Sequence, residues 1–335
     1  MGLASPWEVS GQAFVVGYNQ AWIGRDYGTD LTSNFKPDLI EKTFGQIAQA
    51  GGSVVRIWLF EDKHKEGLLY GSEGGKPTTE VVGLVPGFLD QLERLIQIAQ
   101  AKGLKVYFTL LSGNWWLEER DTHASYVHYN ILNNKYGRGD QFNEKAVAPV
   151  LEVFNRHRGA VFALDLMNEV EGSVYYMWEG GWEGARRWLE RTASFVKERS
   201  PWLKVTASAG HPTGPLDLMG GRFDGLGLDF YDLHVYSDRG EILGLETLCR
   251  FQRARGLPLV LGEFGQRSKQ ADDELHARVT AGFLRQAKAS CFSAALPWRF
   301  DDGAGEHSYL GAEGPRPAVR EVLRFVQEHP PAWPW

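Results

Sequence analysis

Val-Phe-Ala-Leu-Asp-Leu-Met-Asn-Glu-Val-Glu, residues 161–171, starts as an apolar run and ends by presenting an amide and a carboxylate, Asn168 and Glu169. A short run that is apolar without alternation reads as a strand covered on both faces, as in a parallel sheet. Leu-Pro-Leu-Val-Leu-Gly-Glu-Phe-Gly (257–265) repeats the design and delivers Glu263. Two buried strands that each carry one glutamate to the same kind of end predict a carboxylate pair in one pocket.

Outward from these two, further apolar runs recur with helix-patterned segments between them. Strands are expected at 13–19, 54–60, 105–111, 161–169, 203–208, 229–236, 258–264 and 291–298. Helices are expected at 37–50, 86–102, 144–156, 184–198, 240–256, 272–288 and 316–328. Pro37 suits a first helical turn, and Gly51-Gly52 and Gly103 suit helix ends. Residues 67–76 read as a polar, Gly-rich loop. The long stretch 113–141 is either functional or carries short structure of its own. Eight strands alternating with helices, without a linker of biased composition, predict an α/β fold: a single (β/α)8 TIM barrel over residues 1–335. A doubly wound sheet would want a Gly-rich phosphate turn after an early strand, and Gly17-Tyr18-Asn19-Gln20 is not one.

The composition narrows the function classes. A formal net charge of −6 and the lack of any Lys/Arg run argue against nucleic acid as a partner. No apolar stretch reaches membrane-spanning length. The start, Met-Gly-Leu-Ala-Ser-Pro-Trp-Glu, has no export signal, which leaves a cytoplasmic protein or a secreted one with its signal removed. Cys249 and Cys291 are expected to be buried free thiols, since two cysteines make neither a disulfide framework nor a zinc site. The aromatic content is high, with 12 Trp, 12 Tyr and 18 Phe. Several of the Trp fall where strands end, the position at which a flat ligand is stacked.

In a barrel of this kind the residues just after each strand line the catalytic face. Here they are Asn19 and Trp22; Arg56 and Trp58; Ser112, Asn114, Trp115 and Trp116; Asn168 and Glu169; Ser208 and His211; His234 and Tyr236; Glu263; and Trp298. Any one of them has a bland reading, a core Trp or a capping Glu. Two Glu, an Arg, a His and a Tyr on one rim are costly unless they act together. Glycoside hydrolysis needs that inventory: two carboxyl groups of opposite protonation, donors that separate them, and aromatic platforms for sugar faces. An Arg beside one Glu is expected to keep it ionised, while the other, drier and less compensated, stays protonated.

Val-Val-Arg-Ile-Trp (54–58), Leu-Met-Asn-Glu (166–169), Leu-His-Val-Tyr (233–236), Leu-Gly-Glu-Phe-Gly (261–265) and Leu-Pro-Trp (296–298) resemble the strand-end motifs of glycoside hydrolase clan A. The chain is most similar to family 5, and there to its β-mannanase branch. The resemblance implies Glu169 as acid/base and Glu263 as nucleophile of a retaining double displacement. It further implies that Asn168 bonds the sugar 2-hydroxyl and that Arg56 and Tyr236 orient Glu263. His234 would lie near the acid/base, and Trp298 would floor the cleaved subsite. Many family 5 cellulases carry a His at the end of the third strand; this chain has Asn114-Trp115, which tilts the expectation toward β-mannan. Trp115, Trp116 and Trp178 are candidate further platforms, with a structural role an equal alternative for Trp178. The implied partner is a β-linked oligosaccharide or polysaccharide, with no metal and no cofactor. The oligomeric state is left open.

Four other readings stand beside this one. An exo-acting β-mannosidase or β-glucosidase would block one end of the cleft with segments 113–141 or 171–184. A non-catalytic carbohydrate-binding barrel would not need both carboxylates. A metal-dependent barrel hydrolase would want His-X-His after the first strand, and a phosphate-binding barrel would not place acidic residues in turns 262–266 and 302–305.

Overall fold

The computed structural model describes residues 13–23, 31–60, 67–114, 123–268, 272–301 and 308–335. Trp115, Trp116 and the turn at 302–305 lie outside these residues.

In chain order the strands and helices are β1 (Val15–Asn19), α1 (Pro37–Gln49), β2 (Val54–Trp58), β3 (Leu68–Glu73), β4 (Lys76–Leu84), α2 (Phe88–Ala101) and β5 (Lys105–Ser112). There follow α3 (His123–Leu132), α4 (Arg138–Phe142), α5 (Ala148–Arg156), β6 (Val161–Asn168), α6 (Trp182–Arg199), β7 (Val205–Thr206), β8 (Ser208–Ala209) and α7 (Gly214–Met219). The chain continues with β9 (Tyr231–Tyr236), α8 (Leu245–Arg255), β10 (Leu259–Gly265), α9 (Asp273–Lys288) and β11 (Phe292–Pro297). It closes with a two-residue pair, β12 (Leu310–Gly311) and β13 (Gly314–Pro315), then α10 (Pro317–Glu328).

Nine parallel strand segments run in the order β7-β6-β5-β2-β1-β11-β10-β9-β8. The two edges of that list are one strand interrupted at Ala207: β7 pairs with β6, and β8 pairs with β9. The sheet therefore closes on itself with eight positions, the expected barrel. Side-chain alternation sorts each strand into an outer and an inner set. Val16, Val55, Phe108, Leu233 and Leu261 pack outward into the large core beneath the helices. Val15, Val54, Tyr107, Phe230, Val260 and Ala294 point inward and fill the lower barrel. Trp335 from the C-terminal tail seals that end, stacked on Phe230 with centroids 5.0 Å apart. At the opposite end the inward positions turn polar, and there the strand-end residues meet.

Several local expectations are corrected. Residues 67–76 are no loop: they belong to an antiparallel β3–β4 hairpin whose turn is Gly74-Gly75. Both turn residues have positive φ, +58° and +77°, which glycine supplies without steric cost. Stretch 113–141 carries α3, and the following helix starts early, at Arg138, passing through a π turn (Asn143–Val147) into α5. The helix expected from 240 begins only at Leu245. Cys249 and Cys291 are not free thiols. They form a disulfide that ties α8 to the entry of β11, with Cα atoms 5.4 Å apart. Nothing in their spacing signals it, because a strand and a helix intervene and the closed barrel brings the two segments together.

Candidate active site

Arg56 organises the site. It is fully buried, on the inward face of β2, and its guanidinium holds four partners. Nη1 donates to Glu263 Oε1 at 2.7 Å and to Asn19 Oδ1 at 3.1 Å. Nη2 donates to Asp165 Oδ2 at 2.7 Å and to Asn168 Oδ1 at 2.9 Å. Burial works against the charge, but Asp165 and Glu263 outweigh it and raise the Arg56 pKa further. The planar fork suits this, since it delivers parallel donors in fixed directions. Tyr236 completes the cradle of Glu263, its hydroxyl donating to Oε2 at 2.7 Å.

Glu169 sits at the end of β6 with a different set of neighbours. Its Oε2 accepts from the Asn114 amide at 2.5 Å, and its Oε1 lies 3.0 Å from His234 Nδ1. His211 Nε2 is 3.6 Å from Oε2 and also contacts Asn114 Oδ1. The backbone N–H of Glu169 donates to Ser208 Oγ at 3.0 Å. Glu169 and His211 both have φ near +49°. For non-glycine residues that conformation costs roughly 1–3 kcal/mol and collects at functional sites.

The two glutamates converge as the strand-end reading requires. One oxygen from each, with a ring nitrogen of His234, lie within 4.8 Å of one another. Their side chains are 12% and 5% exposed, so little bulk water reaches them. His234 Nδ1 stands between them, 3.0 Å from Glu169 and 3.5 Å from Glu263.

The charge assignment differs from the expectation. Glu169 is well compensated: against the upward push of burial, His234, Asn114 and His211 hold its carboxyl down to about 2. Burial instead raises Glu263, opposed by His234 and Arg56. His234 faces the opposite balance. Burial alone would lower its pKa, but Glu263, Glu169 and Asp232 raise it to about 9.

Among the predicted residues the described structure brings together Glu169, Glu263, Arg56, Asn168, His234, Tyr236 and Asn114. Trp298 follows β11 and meets Trp22 and Trp58, with centroids 6.1 Å and 5.9 Å away. The three make an aromatic patch with Ala21, and Arg56 lies 5.6 Å from the Trp58 ring. Trp178 is no platform. It is buried, donates from Nε1 to Ser173 Oγ at 2.9 Å and packs against Trp188.

Sequence reasoning missed three residues. Asp165 accepts from Arg56, Thr109, Ser208 and two backbone N–H groups, of Met167 and Ser208. Asp232 accepts from Tyr107 at 2.5 Å below His234. Glu171 bonds the Gly210 N–H at 3.1 Å, and burial pushes its carboxyl up to about 8. A charged residue inside an apolar strand was the available signal for both Asp, as was the alternation of Asp232, His234 and Tyr236 on one face.

No protein-family model matches the chain. Over 289 residues, 78% of the chain, it is 21% identical to a probable mannan endo-1,4-β-mannosidase F of Aspergillus flavus, and it spans 59% of that protein's length. Among solved structures it is similar to the β-mannanase of the blue mussel Mytilus edulis. The TM-score is 0.71 at 19% identity, covering 97% of this chain and 95% of that one. It is also similar to an exo-β-1,4-mannosidase from Opitutaceae bacterium strain TAV5, with a TM-score of 0.65 at 17% identity, covering 96% of this chain and 60% of that one. The barrel is a fold the chain shares with these enzymes.

Proposed function

We propose that this chain acts as one catalytic unit, a retaining β-glycoside hydrolase that cleaves β-1,4-linked mannan. The observation that carries the reading is the close approach of Glu169 and Glu263, within 4.8 Å, on the polar end of the barrel. Carboxyl groups about 5–5.5 Å apart suit double displacement, whereas inverting enzymes need about 6.5–9.5 Å to admit a water. Glu263, fixed at both oxygens by Arg56 and Tyr236, attacks the anomeric carbon and displaces the leaving oxygen. The Glu169–His234 pair supplies the proton to that oxygen, then takes one from the water that releases the sugar. Asn168, held by Arg56, faces the 2-hydroxyl, and Trp298 floors the cleaved subsite. Asn114 keeps Glu169 in place, and Trp115 and Trp116 remain candidate platforms.

The substrate follows from similarity to mannan-cleaving proteins and from Asn114 after β5. The test is a panel of β-mannan, cellulose and aryl β-glycosides with product chromatography. Mixed manno-oligomers at early times are the expected result; activity confined to cellulose would overturn the substrate. A second reading is exo action, because the segments after β5 and β6 are fastened together. Tyr129 and Lys135 both bond Glu179, and Asn133 bonds the Met177 carbonyl and the Glu179 N–H. Release of mannose alone would favour it.

Glu169→Ala is expected to slow polysaccharide hydrolysis by about 10²–10⁴-fold. With a 2,4-dinitrophenyl glycoside, whose leaving group needs no proton, a burst of phenolate should persist and only the second step should slow. Equal losses on both substrates would contradict the acid/base role.

The Cys249–Cys291 disulfide supports an oxidising location outside the cytoplasm. Among the described residues no helix is long and apolar enough to cross a membrane.

A further inference from the structure

Alternation along β9 and the residue before it turns Phe230, Asp232, His234 and Tyr236 to the barrel interior, from its apolar floor to Glu263. Asp232 lies between floor and site and is wholly buried. Tyr107 donates to its Oδ2, while Oδ1 has no hydrogen-bond partner among the described residues. His234 Nε2 has none either, and the two unpartnered atoms face each other at 3.9 Å. A third strand makes room for this. A Cβ on Gly262, the residue before Glu263, would fall 2.0 Å from Oδ1 and 2.3 Å from Oδ2. Three strands thus shape a place for a carboxylate that serves neither the floor nor the sugar. Burial pushes its pKa up to about 6 against the pull of His234 and Arg56, a cost that calls for a return elsewhere.

We infer that Asp232 is a positioning residue that keeps His234 in its imidazolium form, so that the proton required at Glu169 is stored one hydrogen bond away. The inference rests on the reading of Glu169 as proton donor. In the first step the Nδ1 proton passes to Glu169 Oε1, and the resulting carboxylic acid yields a proton to the leaving oxygen. His234 is left neutral, with Nε2–H toward Asp232. In the second step the attacking water gives a proton to Glu169, and one returns to Nδ1. The charged groups facing His234 are Glu169 after β6, Glu263 on β10, Asp232 on its own strand and Arg56 on β2. The three carboxylates favour the imidazolium; Arg56 and burial oppose it.

His234 titrates above the ordinary histidine value, so its charged form is complete below about 6.5 and is lost as pH rises through about 9. The alkaline limb of kcat/KM should fall there. The test is NMR of the protein with ¹⁵N-labelled histidine, read beside that limb. In the wild type both His234 ring nitrogens should be protonated at pH 7; a neutral ring would overturn the inference with no variant needed. In Asp232→Asn the amide donates to Nε2 and favours the neutral ring, so both the ring titration and the limb should drop by roughly 1 unit or more. Tyr107→Phe frees the Asp232 carboxylate to turn toward Nε2, so both should move up. The opposed signs decide the matter if either variant folds, and unchanged titrations in both would overturn the inference. If the ring titration moves but the kinetic limb does not, Asp232 controls His234 and Glu169 is not the proton donor.

Discussion

Replacing Glu263 by Ala is expected to lower kcat/KM on every glycoside by on the order of 10⁵-fold, comparable to losing the nucleophile in other covalent mechanisms. No glycosyl–enzyme bond can form without that carboxylate, so the leaving group's quality should not rescue the variant. This separates it from Glu169→Ala, whose loss depends on the leaving group. Added azide should restore turnover of an aryl glycoside by Glu263→Ala, filling the space of the deleted carboxylate and giving a product of inverted configuration. Near-normal rates in Glu263→Ala would contradict the assignment. The fold should survive the change, because Glu263 is one of four Arg56 partners and Asn19, Asp165 and Asn168 remain.

Replacing Arg56 by Met should reverse that pattern, costing stability as well as activity. The guanidinium is the shared counter-ion of Asp165 and Glu263, and all three are buried. Removing one partner of a buried ionic cluster leaves uncompensated charge and typically costs about 3–5 kcal/mol. Guanidinium-induced unfolding should show a loss of that size at neutral pH. Lowering the pH should narrow the gap, since protonation relieves the stranded carboxylates. The double variant Arg56→Met/Asp165→Leu should recover part of the loss, because an apolar pair replaces half the cluster. A loss below about 1 kcal/mol would mean that the cluster is solvated and that Arg56 does not organise the site.

The barrel was legible because its signals are local and repeated. Each strand is an apolar run with a polar residue at one end, and the closed sheet brings those ends together. Arg56, Glu169, His234 and Glu263 were readable for that reason. The β3–β4 hairpin was misread because glycine and charged residues suggest a loop, although Gly74-Gly75 is also a hairpin-turn signal. The Cys249–Cys291 bond is a tertiary event without a spacing signature. Trp178 and Trp298 look alike in sequence; only packing shows that one is pinned by Ser173 while the other joins Trp22 and Trp58 beside the site. Protonation was the least legible feature. It depends on burial and on Glu263, Glu169, His234, Asn114 and His211 acting on one another across several strands, and no run of residues encodes that sum.

The central claim is a covalent bond between Glu263 and the sugar. Incubation with a 2-deoxy-2-fluoro-β-mannosyl fluoride, followed by intact-mass and peptide mass spectrometry, measures it directly. One added fluoro-mannosyl unit per chain is expected, located on the peptide carrying Glu263. An unmodified chain during confirmed turnover of the parent substrate, or a label on any other residue, would contradict it.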